Sequence, residues 1–150
     1  MSFAQTFTGS QSTIKPFYQD EYAKLELDDS GPCVRLTLNG VPRCSDHFKM
    51  VLHKLLELIH REIKNYPKLH MLADSRKAGL VLDEDVDFFK TQVLPEIEKT
   101  RVRFFAIVMP TNKFAQLAIR DMTHDARVIT ARYFDSMREA RAWLRKITLA

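Results

Sequence analysis

Apolar residues recur along this chain at two periods, two and about 3.6, and the switching between them lays out the elements. From Glu21 to Asp28, Ala23, Leu25 and Leu27 fall on one side and Tyr22, Lys24 and Glu26 on the other. Cys33–Leu38 alternates likewise, with Val34, Leu36 and Leu38 on the apolar side. Asp28-Asp29-Ser30-Gly31-Pro32 between them is turn chemistry, so the two segments predict an antiparallel hairpin that Asn39-Gly40 ends. The period then becomes helical. Phe48, Val51, Leu52, Leu55, Leu56, Ile59 and Ile63 form one apolar stripe on a helix capped by Ser45 and running to about Asn65, where Tyr66-Pro67 stops it.

Leu69–Ala73 is a short apolar run that stops abruptly at Asp74-Ser75-Arg76-Lys77, the pattern of a buried parallel strand emptying into a functional loop, here 74–82. Asp83 is expected to cap the next helix, with Glu84, Asp85 and Asp87 as first-turn carboxylates and Val86, Phe89, Val93 and Ile97 facing inward. Pro95 lies inside that pattern and predicts a kink or a division near Thr91–Leu94. Arg103–Met109 is apolar on both sides, Phe104, Ala106 and Val108 on one and Phe105, Ile107 and Met109 on the other, which predicts an interior strand. Pro110-Thr111-Asn112 turns into a helix expected to bury Phe114, Leu117, Ala118 and Met122, and Val128–Phe134 predicts a last strand. Ser136 with Glu139 is capping-box spacing for a final helix that buries Met137, Ala140, Trp143, Leu144 and Ile147 and shows Arg138, Arg141 and Arg145 to solvent.

These elements predict an α/β fold: one open, mixed but mostly parallel five-stranded sheet with four helices, order ββαβαβαβα, over residues 21–150. Residues 1–20 are polar with scattered Phe3, Phe7, Phe17 and Tyr18, and Pro16 opposes helix; they predict a tail ordered by docking. If all four helices lie on one face, the two-sided strand 103–109 needs a second cover. The tail or a second subunit can supply it, and a homodimer is expected.

Composition narrows the class. With 45% hydrophobic and 28% charged residues, the chain has the make-up of an ordinary soluble domain. The first residues show neither a basic stretch nor an apolar core of signal-peptide type, and no apolar run is long enough to span a bilayer. Cys33 and Cys44 lack CxxC spacing, so a reduced, cytoplasmic protein is expected. The net charge of +4 is uneven: residues 101–150 hold ten Lys and Arg against four Asp and Glu. No basic run or interleaved aromatic residues accompany that surplus. It fits solvated surface arginines better than a polyanion site, and no nucleic acid is expected as a partner.

With the elements in place, the chain resembles the SpoIIAA-like family of STAS/SEC14-like domains. The matching residues are Leu72-Ala-Asp-Ser-Arg-Lys-Ala-Gly79, Val81-Leu-Asp-Glu-Asp85, Leu94-Pro95, Phe105-Ala-Ile-Val-Met-Pro110, and Arg132-Tyr-Phe-Asp-Ser136 running into Glu139-Ala140 and Trp143-Leu144. The resemblance covers roughly residues 20–147. It implies an open sheet with right-handed crossovers, in a family largely without assigned activity. In the related anti-sigma-factor antagonists a serine after the central strand is phosphorylated to switch partner binding, and Ser75 stands at a comparable place. Phosphate there adds nearly two negative charges and three acceptor oxygens beside Arg76 and Lys77. The alternative is that Ser75 caps a turn while Asp74 and Arg76 pair to hold the loop.

Candidate chemistry beyond this loop is sparse. Leu80, Leu82 and Phe88 can form a hydrophobic groove beside Asp74, Ser75, Arg76 and Lys77, suited to a small apolar or lipid-like ligand; otherwise Phe88 simply lies under the loop. His53, Glu57 and His60 share one helical face at metal-ligating spacing, but that face is opposite the apolar stripe, so a solvated face is the preferred reading and no metal or other cofactor is expected. His124-Asp125 has no nucleophile that can be placed near it. Ser45, Ser75 and Ser136 lie in no GxSxG context, and Gly9, Gly31, Gly40 and Gly79 form no phosphate-cradling loop. The chain therefore reads as a non-enzymatic regulatory or interaction domain acting through Asp74–Leu82, with a protein partner or a small apolar ligand.

Overall fold

The computed structural model describes residues 14–150. Six strands form one sheet in sequential order: β1 (Ile14–Gln19), β2 (Ala23–Asp28), β3 (Cys33–Gly40), β4 (His70–Ala78), β5 (Phe104–Val108) and β6 (Thr130–Phe134). The first three pair antiparallel, and β3 through β6 pair parallel. The mixed, mostly parallel sheet expected from the periodicity is present, with six strands in place of five. The extra one is β1, in a stretch assigned to the tail. Its Pro16 has no amide hydrogen, which an edge strand tolerates next to a register shift, and one lies between Pro16 and Tyr18. Residues 1–13, the rest of that tail, lie outside the described residues.

The helices are α1 (Ser45–Glu62), α2 (Asp83–Phe88), α3 (Leu94–Glu98), α4 (Lys113–His124) and α5 (Met137–Leu149). A π-helical turn, Phe89–Val93, joins α2 to α3 in one continuous run, so the described residues form four helical rods. Pro95 explains the turn: it has no N–H to return to Thr91, and the hydrogen-bond ladder widens just before it. Two expected caps differ. The residues preceding the first turns are Cys44 and Leu82, not Ser45 and Asp83, and neither carries a side-chain cap. Asn112 does cap α4, its Oδ1 accepting from Ala115 N at 3.0 Å. Ser136 caps α5, accepting from Glu139 N at 3.2 Å.

Sequential strand order with right-handed crossovers puts every connecting helix on one face. Accordingly α1, the α2–α3 run and α4 cover one side, in a core that includes Leu25, Leu27, Leu55, Ile59, Met71, Ile97, Phe105 and Ile107. α5 takes the other side. There Ala140 and Leu144 pack on Cys33, Leu72, Ala106 and Val108, with Phe104, Phe134, Met137 and Trp143 around them. The second apolar face of β5 is thus covered within the chain, and the need for a second subunit to cover it disappears. α4 is turned relative to expectation: Ala115, Ile119 and Thr123 are buried, Ala118 and Met122 half-buried, and Phe114 and Leu117 exposed. Among the described residues no helix is long and apolar enough to cross a membrane.

Candidate functional site

Strand β4 runs further than its apolar stretch. Asp74, Ser75, Arg76 and Lys77 are strand residues, not loop residues, because β3 continues beside them to Gly40 and supplies ladder partners. A bulge accompanies the change of composition: Thr37 pairs with Asp74 and Asn39 with Lys77, so three steps along β4 match two along β3. Alternation sends Asp74 and Arg76 to one side. Arg76 closes a bidentate fork on Asp74, Nε to Oδ1 at 2.9 Å and a terminal nitrogen to Oδ2 at 2.8 Å. The Arg76 hydrogen bond outweighs burial and holds the Asp74 carboxyl below its ordinary range. Ser75 points the other way and is 2% exposed.

Ser75 lines a cavity at the C-terminal ends of the parallel strands, with about 70 Å³ of room for the centres of water-sized molecules. A single water needs roughly 10–15 Å³ on that measure, so the space is large for a domain of this size. Its wall is built by β3 (Leu36, Leu38), β4 (Ala73, Ser75, Ala78), α1 (Phe48, Val51, Leu52), β5 (Phe105, Ile107) and α4 (Ile119, Met122). Gly40 and Gly79 close one end. Gly40 has φ of 97°, a conformation that favours glycine, and its carbonyl accepts from Gly79 N at 2.8 Å. A β-carbon on Gly79 would collide with Val41 Cγ1. Leu80 and Val81 line the rim, where Leu80 is exposed.

Few polar groups face this space. The Thr123 hydroxyl is engaged with the Tyr133 phenol and with the Ile119 and Arg120 carbonyls. Burial, reinforced by the charges of Asp85 and Asp20, raises the Tyr22 phenol far above its ordinary value and keeps it protonated. Asp85 stands in the first turn of α2, 2% exposed, and its Oδ1 has no hydrogen-bond partner among the described residues. The run of acids at the helix start explains why this carboxylate is legible only as a helix-start signal: Asp83 and Glu84 turn to solvent while Asp85 turns in.

Of the proposed groove residues, Leu80 lies on the cavity wall, Leu82 is exposed away from it, and Phe88 packs on α1 against the His53 ring (5.9 Å) and under Lys49 Nζ (5.3 Å). Of the three, Leu80 is the one that lines the cavity. His53, Glu57 and His60 do not converge; Glu57 faces Lys54 at 3.8 Å. His124 and Asp125 are an exposed pair at 3.2 Å, with Lys90 3.6 Å from Asp125. The Cys33 thiol is pushed by burial, then by Asp28, up to about 12 and is held as an unreactive thiol.

The periodicity gave no sign of a second polar cluster, at the β1–β2 turn. Asp20 accepts from Tyr22 N and Ala23 N, each at 2.8 Å, from the Tyr18 hydroxyl, and from His47 Nε2 at 2.7 Å. His47 Nδ1 accepts from Arg43 N at 3.0 Å, which makes Nε2 the protonated nitrogen. Asp20, Glu21 and His47 bring ligand-type atoms within 4.8 Å of one another. Both imidazole nitrogens and both Asp20 oxygens are already committed, and Glu21 pairs with Arg43, so the cluster is a latch between the turn and α1.

No protein-family model matches the chain, and no curated protein matches it. Among solved structures, it is similar to an uncharacterized protein from the DUF3478 family with a SpoIIAA-like fold, from Shewanella loihica PV-4. The two share 15% identity at a TM-score of 0.52, over 93% of this chain and 99% of the other. At that identity the likeness establishes the fold, and the chain is a SpoIIAA-like domain in its architecture.

Proposed function

We propose that this SpoIIAA-like domain is a non-enzymatic binding domain that takes a small, predominantly apolar ligand into the cavity between β3, β4, β5 and the α1/α4 layer. The observation that carries this is the cavity itself, an apolar chamber at the strand ends where open α/β sheets bind ligands. A ligand there touches Ser75, Ala78 and Leu80, so occupancy is felt along the 74–82 segment, the segment through which a partner would sense it. Phosphorylation of Ser75 is the less favoured switch. The hydroxyl is buried, and a phosphate would enter an apolar space that already holds the Asp85 carboxylate, where like charges repel strongly. Asp74, Arg76 and Lys77 lie at the end of the same strand as surface groups beside the site.

The test is thermal unfolding of the full chain with increasing 1-hexanol, comparing wild type with Ala78→Trp, which fills the mouth from a half-buried position. Wild type is expected to gain several degrees in Tm at saturation and Ala78→Trp to gain none. An identical response of the two proteins, or no stabilisation of either, rejects the cavity as a binding site.

A further inference from the structure

Among the described residues, the cavity wall holds one acidic side chain and no basic one. Asp85 is 2% exposed, lines the wall, and has one oxygen without a hydrogen-bond partner among the described residues. None of the described residues lining the cavity is Lys, Arg or His. A buried carboxylate left this way is costly, because it forfeits the water that solvated it and receives neither donors nor opposite charge in exchange. Other acids of this fold are treated differently: the buried Asp28 accepts from Ser30 and Arg35, and the half-buried Asp20 collects four donors. Asp85 alone among these three lines the chamber and keeps an oxygen without a hydrogen-bond partner among the described residues.

From this we infer that the ligand is an apolar body ending in a protonated amine, and that Asp85 receives the ammonium group. The inference rests on the binding function proposed above and names the ligand's chemistry. An ammonium group supplies up to three donors and the missing positive charge, whereas an alcohol supplies one donor and no charge. An acid of the same length would place a second carboxylate beside Asp85 and is excluded. The Ser75 hydroxyl, on the same wall, is available as an acceptor for a second ammonium hydrogen. The apolar remainder of the wall takes the carbon chain.

Three six-carbon probes, hexylamine, 1-hexanol and hexanoate, titrated calorimetrically into the full chain at pH 7 decide the matter. Hexylamine is expected to bind at least about tenfold more tightly than 1-hexanol, the advantage of a charge-assisted hydrogen bond, and hexanoate not to bind. Asp85→Asn is expected to reduce hexylamine to the affinity of 1-hexanol while leaving 1-hexanol within about twofold of its wild-type value. Equal affinity of hexylamine and 1-hexanol for wild type, or a preference that survives Asp85→Asn, overturns the ammonium assignment and leaves the apolar-ligand function standing. Binding of none of the three removes that function and the inference with it. Should Asp85→Asn fail to fold, the carboxyl carbon resonance of Asp85 in wild type serves instead: a shift with hexylamine and none with 1-hexanol supports the assignment, and no shift with hexylamine overturns it.

Discussion

At Asp20 four donors converge on one carboxylate, two from backbone and two from side chains, and the consequence is a pH dependence with a definite sign. Burial alone would raise its pKa, but the bonds from Tyr18, His47, Ala23 and Tyr22 together hold it well below the ordinary 3.8. The unfolded chain therefore binds the proton first as pH falls. The latch contributes its full stability above the unfolded value of 3.8 and loses it progressively below, as the pH drops through the folded-state pKa. Asp20→Asn is expected to cost about 2 kcal/mol at pH 7, as loss of hydrogen bonds to a charged group does, and to flatten the fall in stability below about pH 4. Urea denaturation at pH 7 and pH 3 measures both. Nothing in the residues around Asp20 announces this: His47 is distant in sequence, and its ring reaches the turn only because α1 packs across the end of β2.

At the scale of elements, Glu98 does for β6 what a cap does for a helix. Its Oε2 accepts from the amides of Arg127, Val128 and Ile129 at 2.9, 2.6 and 3.0 Å, so the end of α3 holds the chain as it enters the last strand. Glu98→Ala is expected to cost about 2 kcal/mol and to speed amide exchange at Ile129 and Thr130 selectively, which hydrogen exchange read by mass spectrometry resolves. Elements like β2, β3 and α1 were legible in the sequence because each keeps one period over most of its length, and β5 because it is apolar on both faces. β1 was not, since Pro16 breaks its pattern and an edge strand need bury only part of itself. The far half of β4 was not, because Asp74, Arg76 and Lys77 look like loop while β3 gives them ladder partners. α4 kept its helix but not its face: Ala118 and Met122 lie at its margin, while small Ala115 is buried and large Phe114 is not, and size misleads when a helix packs closely on a sheet. The cavity was illegible for a different reason. Its wall comes from strands and helices far apart in the chain, and only the three-dimensional arrangement brings Ser75 and Asp85 to one space.

For the whole molecule, the sheet separates two cores of unequal size, and among the described residues only α5 guards the smaller. Leu144 is 2% exposed in that smaller core. Leu144→Ala is expected to cost about 3 kcal/mol, within the usual range for a buried leucine. Because the cavity lies across the sheet, the variant should keep its affinity for 1-hexanol while its urea midpoint falls. Loss of binding at temperatures where the variant remains folded would show the two faces to be coupled.

The π turn at Phe89–Val93 is equivalent to one extra residue in an otherwise regular helix. Each residue of an α-helix advances the azimuth by about 100°, so a chain one residue shorter in this stretch would keep Leu94 and Ile97 seated and swing the preceding turn through that angle. Asp85 would then leave the chamber for the solvent. A single-codon deletion there would remove the acid from the chamber and unseat the buried Val86 of the same turn with it, so it is expected to lower stability as well as change the polarity of the wall.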